Sequence, residues 1–355
     1  MTIGAKYIML LVVILRNYRK RKAEKRLKEE CYILSLDGGG MRGVIPATIL
    51  GHIDSLFHEL GDKRPLHAHF DLIAGTSTGG LIACALSNPN EINLETREIV
   101  NLYLDHGPSI FPKGSPILPL NVLGQLFSQK YDDISFNALL KELFEETTLG
   151  EALTPTMVVT YDYTNNRPHI LSSYKTPKTL MRLAARATSA APTYFSPTTI
   201  YDEESASHIS LIDGGVVANN PVLYAYREAK RLYPDAKRFH ILSLSTGGTT
   251  PPKEVNKGLN GVIGWFDPTR GTPIYKVYAT SQMQTSDEIA SAIDDLEYVR
   301  IDGALERKIK LDETDPLVLG QMIERANQIF FENREKLETF CLPLTQRNIN
   351  SKGIA

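Results

Sequence analysis

Phe70-Asp-Leu-Ile-Ala-Gly-Thr-Ser-Thr-Gly-Gly80 is the stretch that decides how the chain is read. Phe70 to Ala74 is an apolar run with the length of a buried strand, and Leu81 to Leu86 reads as a helix. Between them Gly75-Thr76-Ser77-Thr78-Gly79 fits G-x-S-x-G, the pattern of a strained strand-to-helix turn that lifts a serine hydroxyl beyond the sheet edge. The turn is tight, so Gly75 and Gly79 keep the space around Ser77 free of side chains. A glycine-rich turn whose Ser or Thr only caps a helix has the same letters, so the elbow needs support from the rest of the chain.

Upstream, Cys31 to Leu36 reads as a strand running into Asp37-Gly-Gly-Gly-Met-Arg-Gly43. A helix follows from Ile45 to Leu60, with Ile45, Ile49, Ile53, Leu56 and Leu60 at helical spacing. Strand, glycine loop, helix, strand, elbow and helix in succession give the alternation of a parallel α/β sheet. Downstream, strands are expected at Thr156–Tyr161, Ile209–Ile212, Phe239–Leu244 and Tyr298–Ile301. Helices are expected over Phe136–Phe144, Thr179–Ala187, Val222–Tyr233, Ile274–Ile293 and, as one long element, Pro316–Leu337. Between Asp105 and Asp133 four prolines (108, 112, 116 and 119) predict a long loop, either a lid or a segment pinned to the core by its apolar side chains. Nothing reads as a linker, so one domain with a terminal extension is expected.

Composition narrows the class. Apolar residues make up 42% and charged residues 23% of 355, ordinary for a globular protein with a full core. A formal net charge of −2 gives no polyanion-binding signature, which argues against a nucleic-acid polymer as partner. Cys31, Cys84 and Cys341 are odd in number and far apart, which fits a reducing compartment rather than a disulfide framework or a zinc site. The first 30 residues stand out. Tyr7 to Leu15 is wholly apolar, and eight Lys or Arg fall between Arg16 and Lys28. Nine apolar residues are too few to span a bilayer, which takes about 20. The order of apolar and basic parts is the reverse of a secretory signal. The stretch over 7–28 reads as an apolar plug followed by a basic helix contacting an anionic membrane surface, or else as a helical extension packed on the protein or a poorly ordered leader.

Gly38-Gly-Gly-Met-Arg-Gly43 also satisfies G-x-G-x-x-G after a strand. The dinucleotide fold needs a second strand ending in an acidic residue about 20 residues on. Here His52 to Asp62 is helical in pattern, and Asp37 would put its charge beside a pyrophosphate. The loop fits an oxyanion hole better: backbone N–H groups of Gly38, Gly39 and Gly40 at a helix start, with Arg42 adding positive field or holding the loop.

A serine nucleophile needs a base. His106, His169, His208 and His240 lie well downstream of Ser77, and none has a flanking loop that delivers it to the elbow. Asp213 ends a strand and enters Gly214-Gly215, a position at the sheet edge where α/β sites form. The expected chemistry is a Ser77–Asp213 pair, although Asp-Gly more commonly just starts a turn.

Taken together, Asp37-Gly-Gly-Gly-x-Arg-Gly43, Gly75-x-Ser77-x-Gly79 and Asp213-Gly-Gly215 resemble the patatin-like phospholipases. Ala187-Thr-Ser-Ala-Ala-Pro-Thr-Tyr-Phe-Ser-Pro197, Asn219-Asn-Pro221 and Ser243-Leu-Ser-Thr-Gly247 extend the likeness over about Tyr32 to Asp295. The resemblance implies a three-layer α/β fold with a mostly parallel sheet and helices on both faces. It places the phospholipase domain at 31–303, after the extension at 1–30 and before a packed helical segment at 304–355. It implies hydrolysis of phospholipid acyl esters, with no metal or other cofactor, by Ser77 and Asp213 with the Gly38–Gly40 amides. Within the family the chain most resembles bacterial phospholipases activated by cyclic GMP-AMP in antiphage signalling. That implies a cyclic dinucleotide activator and a cytoplasmic enzyme attacking the inner face of the cell's own membrane. An acyltransferase using the same serine, or a non-catalytic nucleotide or lipid sensor, are the alternatives.

Overall fold

The computed structural model describes residues 29–90, 96–112, 130–249, 273–307 and 309–347. The apolar and basic stretch over 7–28, and Pro116 and Pro119 of the expected loop, lie outside the described residues. The strands are β1 (Glu30–Leu36), β2 (Leu72–Thr76), β3 (Thr156–Asp162), β4 (Arg167–Ser172), β5 (Thr198–Asp202), β6 (Ser207–Asp213), β7 (Arg238–Leu244), β8 (Gly248–Thr249), β9 (Leu296–Ile301) and β10 (Ala304–Leu305). The main helices are α1 (Val44–Glu59), α2 (Thr78–Ser87), α3 (Ile134–Phe144), α4 (Met181–Thr188), α5 (Val222–Leu232), α6 (Pro273–Ser291), α7 (Pro316–Glu332) and α8 (Arg334–Thr345).

An eight-stranded sheet runs β5-β6-β3-β2-β1-β7-β9, with β4 along the other side of β3. The consecutive strands β3, β2, β1, β7 and β9 are parallel, while β4, β5 and β6 pair antiparallel. The near-continuous apolar letters of β1 follow from burial on both faces. Tyr32, Leu34 and Leu36 enter a core shared with α1, α2, α4, α7 and α8. Cys31 and Ile33 enter a second core against Val222, Ala225 and Ala229 of α5 and Ala290 of α6. The period-2 alternation thus produces the expected three layers.

One register positions the site. β2 covers the first half of one edge of β3, from Ile73 opposite Thr156 to Thr76 opposite Val159. β6 takes over on that edge from the opposite direction, with Asp213 opposite Thr160. Two strand ends therefore meet head to head, and the residue after Thr76 is brought beside Asp213.

The fold differs from the sequence reading in four places. β4 and β5 were not expected, because Arg167–Ser172 and Thr198–Asp202 are short and partly polar. Asp213 ends an antiparallel strand rather than one of the parallel set. The chain stays helical through Glu98–Asn101, Leu102–His106 and Gly107–Ile110, with wider π-type turns over Leu102–His106 directly before Pro108. The long C-terminal helix is two, α7 and α8, broken at Asn333, which leaves helical geometry and turns its side-chain amide onto the Ile329 carbonyl at 2.8 Å. Among the described residues, no helix is long and apolar enough to cross a membrane.

Candidate active site

β2 ends at Thr76 and α2 begins at Thr78, so Ser77 makes the whole reversal. Its φ is 53° and ψ −125°, a conformation that costs a non-glycine residue roughly 1–3 kcal/mol. The glycines make room for it. A Cβ on Gly75 would lie 2.2 Å from the Gly79 carbonyl oxygen, and one on Gly79 would lie 2.2 Å from that of Leu36. Three hydrogen bonds fix the bend. Thr76 Oγ1 donates to the Ala218 carbonyl at 2.7 Å, Ser77 N–H donates to Thr188 Oγ1 at 2.9 Å, and Thr188 Oγ1 donates to the Val159 carbonyl at 2.6 Å.

Ser77 Oγ donates to Asp213 Oδ2 at 2.6 Å. The other carboxylate oxygen, Oδ1, accepts the Gly215 N–H at 2.7 Å, and the Asp213 N–H is held by the Ala190 carbonyl at 3.0 Å. Asp213 is buried, and burial pushes its carboxyl up to about 6, against the opposing pull of the Ser77 and Gly215 hydrogen bonds. No histidine bonds Ser77 or Asp213 among the described residues. His240 stacks on Tyr32 with ring centroids 4.3 Å apart and bonds Glu297 at 2.8 Å.

The glycine loop turns beside this pair. A Cβ on Gly38 would come 3.1 Å from Ser77 Cβ, so the loop touches the serine only because that atom is missing. The N–H of Gly38 is not free to serve as an oxyanion donor, because it donates to the Asn219 carbonyl at 2.9 Å. The Gly38 carbonyl accepts from Thr246 Oγ1 at 2.8 Å and from Asn219 Nδ2 at 3.1 Å. The N–H groups of Gly39 and Gly40 have no protein acceptor among the described residues, and Gly40 sits at φ 58°. Arg42 holds the loop: its guanidinium donates to the Gly39 carbonyl at 3.4 Å and the Gly247 carbonyl at 3.3 Å. Asp37 lies beneath, fully buried, in a bidentate pair with Arg300 at 2.9 and 2.6 Å.

An apolar cavity of about 100 Å³ opens from Ser77. Leu81, Ile82, Leu102, Ile110, Phe136 and Phe195 are among its walls, so α2, the helical turns over 98–110 and α3 all contribute. Two further hydroxyls on its lining, Thr78 and Tyr103, are bonded to each other.

Sequence reading reached Ser77, Asp213, Gly39, Gly40, Gly75, Gly79 and Arg42, and the fold gathers them at one sheet edge. It gave no role to Thr188, Asn219 or Thr246, although the first lies in Ala187–Pro197 and the others in Asn219–Pro221 and Ser243–Gly247. Arg300, which pairs with Asp37 beneath the loop, carried no local signal at all.

The family model for patatin-like phospholipases matches residues 34–226. Patatin-like protein 2 of Arabidopsis thaliana is 34% identical over 306 residues, covering 76% of this chain and 74% of its own length. Patatin-17 of Solanum cardiophyllum is 33% identical over 269 residues, covering 69% and 67%. Among solved structures, VipD from Legionella pneumophila aligns at 15% identity and a TM-score of 0.44, over 88% of this chain and 67% of that one. A family match across more than half the chain, and relatives at one-third identity, place this chain in the patatin-like phospholipase family.

Proposed function

We propose that the chain is a lipid acyl hydrolase that cleaves acyl esters of membrane phospholipids with Ser77 as nucleophile and Asp213 as its base. The observation that carries this reading is the 2.6 Å bond between Ser77 Oγ and a buried carboxylate at the head of an apolar cavity. Asp213 takes the hydroxyl proton as Ser77 Oγ bonds to the acyl carbonyl carbon. The carbonyl oxygen becomes an oxyanion, and the Gly39 and Gly40 amides, which have no protein acceptor among the described residues, donate to it. When the tetrahedral intermediate collapses, the bond to the lysolipid oxygen breaks and Asp213 hands that oxygen its proton. Water then attacks the acyl-serine, losing a proton to Asp213, and the fatty acid leaves as Ser77 regains its hydrogen. The cavity takes the acyl chain. With a carboxyl titrating near 6, Asp213 is ionised at neutral pH yet basic enough to accept a proton transiently.

The resemblance to cyclic GMP-AMP-activated phospholipases supports a finer proposal: a cyclic dinucleotide switches the enzyme on, and it then degrades the inner face of the cell's membrane in antiphage defence. One experiment addresses both layers. Fatty-acid release from phosphatidylglycerol/phosphatidylethanolamine liposomes is measured for wild type, Ser77→Ala and Asp213→Asn, with and without cyclic GMP-AMP. Hydrolysis by wild type alone supports the lipase. Dependence on the nucleotide supports the switch. Transfer of the acyl group to an acceptor other than water would turn the assignment to an acyltransferase.

A further inference from the structure

The glycine loop is completed by a part of the chain far beyond the family match. Residues 304–307 and 309–315 lie between β9 and α7, which begins at Pro316, and the Leu311 end of this strap meets the loop. Leu305 packs where a Cβ on Gly247 would be, 2.9 Å away. The Leu311 carbonyl accepts the Met41 N–H at 2.8 Å. A Cβ on Gly40 would fall 2.3 Å from the same Leu311 oxygen, so the strap lies directly on the turn that holds the Gly39 and Gly40 amides.

The next residue ties the strap to the wall of the cavity. Asp312 Oδ2 accepts the Tyr131 hydroxyl at 2.8 Å and pairs with Lys130. Lys130 and Tyr131 are themselves pinned by backbone bonds, Lys130 N–H to the Thr193 carbonyl at 2.9 Å and Tyr131 N–H to that of Tyr194 at 3.1 Å. Tyr194 and Phe195 line the cavity, and Tyr131 packs edge-on against Phe111, another lining residue. Asp312 thus ties the strap, at the residue after the Leu311 carbonyl that meets the turn, to Lys130 and Tyr131 beside the acyl-binding wall.

We infer that Asp312 is a positioning residue: by clasping Tyr131 and Lys130 it holds the Leu311 carbonyl on the Met41 N–H and so sets the direction of the Gly39 and Gly40 amides. This rests on the proposed hydrolase reading for its catalytic consequence, but the clasp itself does not. A chain in which Asp312 no longer bonds Tyr131 keeps its core and its Ser77–Asp213 bond. It loses the register of the turn that faces the developing oxyanion, a group whose donors matter chiefly in the transition state.

The test pairs two measurements on the full chain, wild type against Asp312→Ala, with Asp312→Asn as the conservative variant that keeps an acceptor for Tyr131. The first is hydrogen–deuterium exchange of the segment 37–43. The Met41 amide is expected to exchange at least tenfold faster in Asp312→Ala, with partial protection restored in Asp312→Asn. The second is steady-state hydrolysis of p-nitrophenyl butyrate, a short ester that does not fill the acyl wall. Here kcat is expected to fall at least tenfold in Asp312→Ala with KM within twofold of wild type. Unchanged exchange overturns the clasp, whether or not the protein hydrolyses esters. Faster exchange with kcat within twofold of wild type overturns the positioning role. A joint fall of kcat, rise of KM and broad loss of protection across the sheet assigns Asp312 to general stability and also overturns it. If wild type hydrolyses neither ester nor lipid, with or without cyclic GMP-AMP, while the exchange result holds, it is the hydrolase reading that fails.

Discussion

Two glycine turns face each other at the site, and they are held in different ways. The elbow, Gly75 to Gly79, is confined by backbone: each missing Cβ would meet a main-chain atom of a neighbouring strand or of the turn itself. The loop, Gly38 to Gly43, is confined by side chains and by distant segments. Asn219, Thr246, Arg300 and Leu311 come from after β6, from the end of β7, from β9 and from the strap before α7. The elbow makes its reversal at a single residue, Ser77, and Ala218 and Thr188 then fix it. The loop is an assembled one, and its shape depends on four separate pieces arriving.

The sharpest break in the comparison is chemical. Ser77→Ala and Asp213→Asn should each cut ester turnover on the order of 10⁴-fold or more, since they remove members of one unit rather than a supporting contact. In wild type kcat/KM should fall about tenfold per pH unit below pH about 6, as the Asp213 carboxyl takes up its proton, and level off above it. The stability sign is opposite. A carboxyl raised on folding favours the native state while protonated, and that contribution is lost as pH rises through 6. Asp213→Asn should therefore melt above wild type at pH 8 and level with it near pH 4. A thermal shift series alongside a pH–rate profile checks both limbs.

Next in size is the support beneath the loop. Arg300→Met strands the buried Asp37 carboxylate and should cost about 3–5 kcal/mol in denaturant unfolding. Gly39→Ala should cost about 100- to 1000-fold in kcat, since its Cβ would fall 2.3 Å from Thr246 Oγ1 and push the amide away. If Gly39→Ala were paired with Thr246→Gly, which removes the Thr246 Cβ 2.5 Å away as well, and the loss persisted in full, the side-chain clash would not be its cause. The smallest effect expected is Thr246→Val, which removes one hydrogen bond to the Gly38 carbonyl and should lower stability by about 1 kcal/mol with activity nearly kept. If Gly75→Ala proved milder than Gly39→Ala in unfolding, the backbone confinement of the elbow would be wrong.

The same contrast explains what was legible in the letters. Ser77 and Asp213 were readable because each is announced by its own neighbours, glycines that exist to permit one sharp turn. The parallel order of β1 and β2 was readable from apolar runs alternating with helical periodicity. β4 and β5 were not, because their exposed faces carry polar residues that blur the pattern. The break at Asn333 was not, because apolar spacing continues across it from Phe330 to Leu337. That Gly38 would spend its N–H on Asn219 was invisible too, since the partner is 181 residues away and is an ordinary backbone carbonyl.

By itself, then, the sequence determined the chemistry available: a serine in a turn only glycines allow, a carboxylate entering two glycines, and donors in a third glycine turn. Those turns are legible because adjacent glycines mark where the chain can reverse sharply without a side chain. Only the tertiary structure decided that β2 and β6 would run head to head along one edge of β3, bringing Ser77 within 2.6 Å of Asp213. It also decided which of the glycine amides stay free. Both depend on strand register and on contacts between residues hundreds of positions apart, which are fixed by burial of whole faces rather than by any short run of letters.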